Sequence, residues 1–395
     1  MNISFPLVPL NEIISPVERR EVPITGIAYR QVGVRLWGQG AYERETIDGG
    51  QTQYTTLNRV ELNDIIVNKI WARNGSVSII RSETVGCYAS GEFPLFVPRT
   101  DRLDPNWFYY LTRTPYFWKQ CEEKSHGTSG KNRIRPERFL QIEIPLPPLD
   151  EQQRIVARID ALASRIAEAR GLRQGAVEEG ETIFKSRLRF AYNEALDFAG
   201  SLTDLSAICH QITDGTHNTP LYIEEGVPFL SVKDITSGMI DFSDARFISR
   251  EDHELLTKRC RPEFGDILLT KVGTTGYAKA IDTVRDFSIF VSLALLKIDK
   301  SRVTPKFLEY LINSPQINAL SKENTRGVGN KNLVLKFIRQ FPIPVPSLDE
   351  QRRIVAYLDS LQAQVDQLKR LQVESAAELD ALLPSILDQA FKGEL

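Results

Sequence analysis

From Ile155 the apolar positions fall at Ile155, Ile159, Leu162, Ile166 and Ala169, in steps of four and three. Near the far end of the chain the same rhythm runs Ile354, Leu358, Leu361, Val365 and Leu368, then resumes at Leu379, Leu382 and Ile386. Such steps stack side chains along one stripe of a helix, the a/d seam of a coiled coil. A single seam would fit equally well a helix laid on its own globular module. Two equivalent seams favour helices packed on each other, and antiparallel pairing suits them, since each helix then leaves one module and runs toward the other. Proline-studded entries, Ile144-Pro-Leu-Pro-Pro-Leu and Ile343-Pro-Val-Pro-Ser-Leu, predict extended lead-ins, because a residue before proline avoids the α region. Asp150 and Asp349 are expected to cap the helices, with Glu151 and Glu350 favourable in the first turn. Gly171, Gly175 and Gly180 predict a break or bend beyond the fourth turn of the first helix.

Elsewhere the pattern is shorter in range. Apolar runs at Asp64–Val67, Val77–Ile80, Phe229–Val232, Ile267–Leu269 and Ile289–Leu296 are bounded by Gly, Asn, Asp and Ser, as strands are. Asn106–Gln120 and Lys306–Leu320 read as short amphipathic helices started near Pro105 and Pro305. The helix opening P-L-D-E-Q-Q-R-I-V-A-R-I-D returns as S-L-D-E-Q-R-R-I-V-A-Y-L-D, offset by 349 − 150 = 199 residues. Asp104-Pro-Asn-Trp-Phe-Tyr-Tyr-Leu similarly resembles Thr304-Pro-Lys-Phe-Leu-Glu-Tyr-Leu, and Asn63-Asp-Ile-Ile-Val-Asn-Lys-Ile parallels Gly265-Asp-Ile-Leu-Leu-Thr-Lys-Val. The chain is therefore a tandem duplication of a domain rather than a solenoid. The expected class is α+β: two tandem mixed, β-rich modules over residues 1–143 and 198–342, with helical regions at 144–197 and 343–395 that pair as an antiparallel coiled coil.

Composition adds mostly exclusions. A chain of 395 residues has room for two or three domains, and its net charge of −2 confines any basic surface to local patches. Cys87, Cys121, Cys209 and Cys260 are dispersed without zinc or C-x-x-C spacing, which suggests reduced thiols in a cytoplasmic protein. The opening M-N-I-S-F-P-L-V-P-L lacks a basic n-region and reads as no signal peptide. No apolar run is long enough to span a membrane. Four histidines without carboxylate or cysteine partners at ligand spacing argue against a metal site.

The duplicated I-P-x-P-x-L-D-E-Q-x-R-I-V, with G-D-I-L-L-T-K-V-G at Gly265–Gly273, D-G-T-H-N-T-P at Asp214–Pro220 and the terminal L-P-S-I-L-D-Q-A-F-K-G-E-L, resembles the specificity subunit of type I restriction–modification enzymes over essentially the whole chain. The first module departs most, with no D-G-T-H equivalent and Lys69-Ile-Trp-Ala-Arg in place of the glycine turn after Lys271. The resemblance implies a non-catalytic subunit whose two target-recognition domains each read half of a split double-stranded DNA site. The paired helices would serve as ruler and docking surface. Two methylation subunits would bring S-adenosylmethionine, motor-nuclease subunits would join for cleavage, and this chain would bind no cofactor. In agreement, the chain lacks a Walker A motif, a glycine-rich cofactor loop in the required context, and the N/D-P-P-F/Y tetrapeptide of adenine methyltransferases. A free-standing DNA-binding regulator and a coiled-coil scaffold without nucleic acid are the alternatives.

Base readout needs forked or amide donors and acceptors, and phosphate contact needs cations. Arg113–Arg138 is rich in cations around the glycine loop His126–Asn132, and R-G-V-G-N-K-N occupies the matching place in the second copy. A basic stretch is usually a solvated face, but this one recurs. It nominates Lys131, Asn132, Arg133 and Arg135, and then Arg326, Lys331 and Asn332. Lys271, Thr274 and Thr275 follow a strand in a glycine turn, with Lys69, Arg73 and Asn74 in the corresponding place. Thr216 and His217 lie in a polar loop, His217 suiting DNA contact and an exposed turn equally. Trp37, Trp71, Trp107 and Trp118 are expected in the core rather than as stacking platforms.

Overall fold

One four-stranded antiparallel sheet is built twice. In the computed structural model, which describes residues 4–126, 132–236, 238–326 and 332–395, the first sheet has the order Ile14–Val17, Leu95–Pro98, Ile65–Val67, Val77–Ile79. The second repeats it as Cys209–Asp214, Leu293–Ile298, Ile267–Thr270, Ala278–Ala280. The near-continuous apolar runs of these strands are explained by layers on both faces. Side chains alternate across a strand. Ile65, Val67, Val77 and Ile79 accordingly join one core, and Ile66 and Leu95 another. In the second copy Ile267, Leu269, Ala294 and Leu296 face one way and Leu268, Leu293 and Leu295 the other. One face of each sheet meets helices. The opposite face carries a second sheet that differs between copies, five strands including the long hairpin Ala28–Val34/Ala41–Asp48 in the first and three in the second.

The chain folds as two units. Unit 1 comprises Met1–Arg173 with Val373–Leu395, and unit 2 comprises Gln174–Gln372. The expected boundaries at 144 and 343 fall inside strands: Glu143–Pro145 pairs with Leu7–Pro9, and Pro342–Pro344 with Leu202–Asp204. The proline-rich lead-ins are thus edge strands of the modules. Each expected short helix is two: Pro105–Leu111 and Pro115–Glu123 in unit 1, Pro305–Ile312 and Pro315–Glu323 in unit 2. A second proline starts each second helix because it cannot continue the first, and Thr114 caps one of them by accepting from the Phe117 amide.

The first long helix, Leu149–Ala199, runs unbroken through Gly171, Gly175 and Gly180, and the second spans Leu348–Lys392 with Pro384 inside it. The expected break is therefore absent. Gly180 lies against Leu368 and Val365 of the partner helix, where packing offsets the poor intrinsic propensity of glycine. Asp150 and Asp349 are not caps either. Both helices begin one residue earlier, so these aspartates occupy the first turn, and Ser347 caps the second helix by accepting from the Glu350 amide.

Within each unit the helices pair antiparallel, but not seam to seam as expected. In unit 1 Arg154 donates to the carbonyl of Leu395, and Arg170 pairs with Asp380 at 2.6 Å. In unit 2 Glu181 pairs with Lys369 at 2.8 Å, and Glu194 with Arg353 at 2.9 Å. Ile155 and Ile159 pack into the core of their own module together with Leu387, Ala390 and Phe391, with Ile166 buried further along. Ile354 and Leu358 do the same with Leu188, Ala191, Tyr192 and Ala195. Leu162 and Leu361 are half-buried, and Val365 and Leu368 face Gly180. The head of each helix is thus both a module element and a pairing element, so neither simple reading of the seam holds alone. Phe391 packs at a tilt against Trp107 with ring centroids 4.5 Å apart, both fully buried. Burying a phenylalanine contributes about 1.5–3 kcal/mol.

The duplicated helix start has a direct structural purpose. Gln152 is fully buried; its Nε2 donates to the carbonyls of Arg102 and Pro147, both at 2.8 Å, and its Oε1 accepts from the Asp104 amide. Gln351 makes the same three bonds to Arg302, Pro346 and Thr304. Eight residues on, Asp160 accepts from the Tyr110 hydroxyl and Asp359 from that of Tyr310. These two anchors fix each helix to its module, a requirement that keeps D-E-Q-x-R-I-V and the following Asp together.

Candidate nucleic-acid interface

In unit 1 the strand Ile65–Val67 ends in a tight turn. The Asn68 side chain accepts from the amides of Ile70 and Trp71, and a single helical turn, Ala72–Asn74, closes at Gly75 with φ 73°. A Cβ at Gly75 would lie 2.6 Å from the Trp118 indole nitrogen, so both space and backbone demand glycine there. The residues that follow the glycine loop meet this turn. His126 and Arg133 form a two-way backbone pair, and the Ile134 amide donates to the carbonyl of Lys69 at 2.9 Å. Lys69, Asn132 and Arg133 are therefore gathered together, Arg73 and Asn74 follow on the same turn, and Arg135 is exposed at the start of Pro136–Phe139. Arg133 spends part of its charge on Glu92, 3.3 Å away. Lys131 lies outside the described residues.

Unit 2 repeats the arrangement. The Leu333 amide donates to the carbonyl of Lys271 at 2.7 Å, and Val272 bridges to Asn332. The hairpin Thr325–Arg326/Asn332–Leu333 forms the base of the loop. Thr275 joins it through a 3.0 Å contact with the Thr325 hydroxyl, and Thr274 is exposed at the turn. Arg326 is exposed with its guanidinium 5.5 Å from the Phe337 ring. Among the described residues, the buried side-chain oxygen of Asn332 has no hydrogen-bond partner. Lys331 lies outside the described residues.

One candidate is corrected. The Lys271 ammonium is not available to DNA: its side chain is 5% exposed and lies 2.8 Å from the equally buried Asp214 carboxylate. Burial alone would raise the pKa of Asp214, but the hydrogen bond and charge of Lys271, helped by His217 and Arg259, hold it below the ordinary value. Lys271 is thus a structural cation whose backbone, not its charge, positions the loop. Its carboxylate partner opens the D-G-T-H stretch. At Gly215 a Cβ would fall 2.1 Å from the carbonyl of Ile289, and Thr216 ties itself to Asn218 through its hydroxyl. His217, 68% exposed, stands 3.4 Å from Asp214, so it is at once an exposed turn residue and a member of the charge cluster.

Three residues were not nominated by sequence. Arg259 donates to the carbonyls of Asp214 and Gly215 and to the Asp214 carboxylate, pinning the Thr216–His217 loop from a distant helix end. Trp37 and Trp71 are 50% and 45% exposed, whereas Trp107 is fully buried and Trp118 partly so. Half of the tryptophans are therefore not core. All four cysteines are free, and burial pushes the Cys209 and Cys260 thiols up to about 12, which leaves them unreactive. Among the described residues there is no His/Cys/Asp/Glu cluster suited to a metal, and no helix is long and apolar enough to cross a membrane.

A family model, the type I restriction modification DNA specificity domain, matches the chain twice, over residues 9–174 and 202–375. Similar proteins include the EcoBI type I restriction enzyme specificity subunit of Escherichia coli, 27% identical over 281 residues, which are 64% of this chain and 58% of the relative. The EcoKI specificity subunit of Escherichia coli strain K12 is 26% identical over 303 residues, 72% of this chain and 64% of the relative. The chain thus spans less than two thirds of the length of either relative. Among solved structures, the HsdS subunit from Thermoanaerobacter tengcongensis aligns over 100% of both chains at 25% identity, with a TM-score of 0.61. A chain from a structure on complex assembly of the type I R-M system aligns over 99% of this chain and 98% of its own length, with a TM-score of 0.73 and 24% identity, a likeness of fold. With the same domain matched in both halves and the same sheet, loop and helix anchor built in both units, the chain belongs to the type I restriction modification DNA specificity domain family.

Proposed function

We propose that the chain is the DNA sequence-specificity subunit of a type I restriction–modification complex. Each unit reads one half of a split double-stranded target, and the helical pairs dock the methylation subunits. The observation that carries this reading is the doubled loop system: in both units a hairpin base bonds through its backbone to the turn after an inner strand, at Lys69 and at Lys271. Two separate readers in one chain suit a bipartite site better than a continuous one. Around them stand Arg133, Arg135 and Arg326 with the amide side chains of Asn74, Asn132 and Asn332, the donor types that phosphate and base edges require. The chain itself is non-catalytic. S-adenosylmethionine and the adenine-methylating sites arrive with the methylation subunits, and motor-nuclease subunits complete the cleaving form.

With a net charge of −2, electrostatic attraction is local, so the subunit alone binds duplex weakly and gains affinity and specificity from its partners. Titration of labelled target duplex, first with the subunit and then with subunit plus methylation partners, is expected to show tight, sequence-selective binding only in the second series. Equal affinity in both would replace this reading with that of a free-standing regulator.

A further inference from the structure

We propose that Trp37 and Trp71 form an apolar wedge that unit 1 lays against the base edges and sugars of its half-site, with Arg73 beside them toward the phosphates. The proposal rests on the reading of unit 1 as a DNA half-site reader and names the contact that this reader makes.

Three independent features point there. The first is strain. Trp37 has φ 56°, a left-handed conformation that is a genuine outlier for a bulky residue. It is held there from both sides: its amide donates to the carbonyl of Asn74 at 2.6 Å, and the next amide, Gly38, donates to Gly75 at 3.0 Å. A Cβ at Gly38 would meet the Arg113 backbone at 2.6 Å, so the hairpin tip is pressed onto the module. Strain of this kind is repaid elsewhere, and burial does not repay it here.

Exposure is the second. Both indoles leave about half of their surface in solvent, and Trp37 meets Trp118 only edge-on, with centroids 5.3 Å apart. Large aromatics left open beside a polar surface mark contact sites rather than core.

The third is position. Trp71 lies on the turn that carries Lys69, Arg73 and Asn74, and the Arg73 guanidinium is 6.0 Å from the Trp71 ring. Backbone hydrogen bonds tie Ile134 to Lys69 at one end of this turn and Trp37 to Asn74 at the other. Cation, amide and indole thus share one continuous surface, the mixture that reads a duplex by phosphate contact plus apolar contact with thymine methyls or base steps. Unit 2 has no tryptophan, and its corresponding turn is Val272-Gly273-Thr274-Thr275-Gly276. The two readers therefore engage DNA by different chemistry, aromatic in unit 1 and hydroxyl and imidazole in unit 2.

The test is oxidative footprinting read residue by residue in a mass spectrometer, on the full complex with methylation subunits. The probe is the duplex target identified from the methylated positions of the complete system. Labelling of Trp37 and Trp71 is expected to fall several-fold with the full target and to stay unchanged with a duplex whose first half-site is scrambled, while Trp107 stays protected throughout. Trp71→Ala and Trp37→Gly should each weaken target binding on the order of ten-fold, and Trp71→Phe should recover part of the loss. The Trp37→Gly change relieves the left-handed backbone, and an unfolding midpoint no lower than the parent's separates lost contact from misfolding. Protection on adding methylation subunits without DNA would make this face a subunit contact and overturn the proposal. So would bound target with both tryptophans still labelled. Absence of selective duplex binding in every arm would instead remove the DNA reading itself, and the wedge with it.

Discussion

At the scale of single residues, Lys271 shows how a charge can be misassigned. A lysine in a glycine turn after a strand has the look of a phosphate contact, and nothing local reveals that its partner, Asp214, lies 57 positions upstream. Burial decides the matter. Removing one member of a buried ion pair leaves an uncompensated charge, so Lys271→Met is expected to destabilise unit 2 by about 3 kcal/mol, somewhat less if Arg259 and His217 hold Asp214. The loss should show in chemical unfolding, whereas the salt dependence of DNA binding by the folded fraction should keep its slope. Unchanged stability with a shallower slope would restore Lys271 as a DNA contact. The pair also has a pH signature. Because the folded Asp214 carboxyl titrates below its ordinary value of 3.8, its contribution is fully present above that pH and fades as pH falls through the lower folded value. Asp64 and Asp266, by contrast, sit in segments whose parallel was legible, and each does the same local work, accepting from the amide three residues back, at Glu61 and Glu263.

Among elements, what was legible followed periodicity, and what was not followed long-range packing. The two long helices and their antiparallel sense could be read from four-and-three spacing and from the duplication. Their partners could not. Ile155 and Ile354 carry the same signature because they do the same job in different units, not because they meet across a seam. The glycines misled for a related reason: a propensity cost of about 1 kcal/mol each is small beside the packing and ion pairs along a paired helix. Gly171 and Gly175 have nothing within 4 Å of where a Cβ would sit. Gly171→Ala and Gly175→Ala are therefore expected to stabilise the protein by about 0.5–1 kcal/mol each, measured as a higher urea midpoint at unchanged slope. A lower midpoint would mean that the helix needs a bend there after all. Pro115 and Pro315 were equally available to inspection, and each should have ended one short helix and begun another.

For the whole molecule, the fact least visible in the sequence is that unit 1 is completed by the other end of the chain, with Leu387, Ala390 and Phe391 in its core and the Ser4 amide bonded to the carbonyl of Lys392. No window of sequence announces a contact across nearly the full length. The duplicated anchor has a consequence for inheritance. A recombination that joined the two similar helix starts, Asp150 to Glu350, would delete one repeat length of 199 residues. In the shortened chain Gln351 falls where Gln152 was and Asp359 where Asp160 was, so both anchors from helix to module are kept. What it lacks is an opposing helix, because a continuous helix cannot double back on itself. A second copy can supply one, head against tail, as Leu387 and Phe391 now do for Ile155. Such a half-length chain is expected to run at twice its mass in sedimentation and, with methylation subunits, to select a palindromic target. A folded monomer would show that the helical pairing is dispensable. On the proposed reading, a single recombination event would therefore trade a split, asymmetric address for a symmetric one, without redesigning any interface.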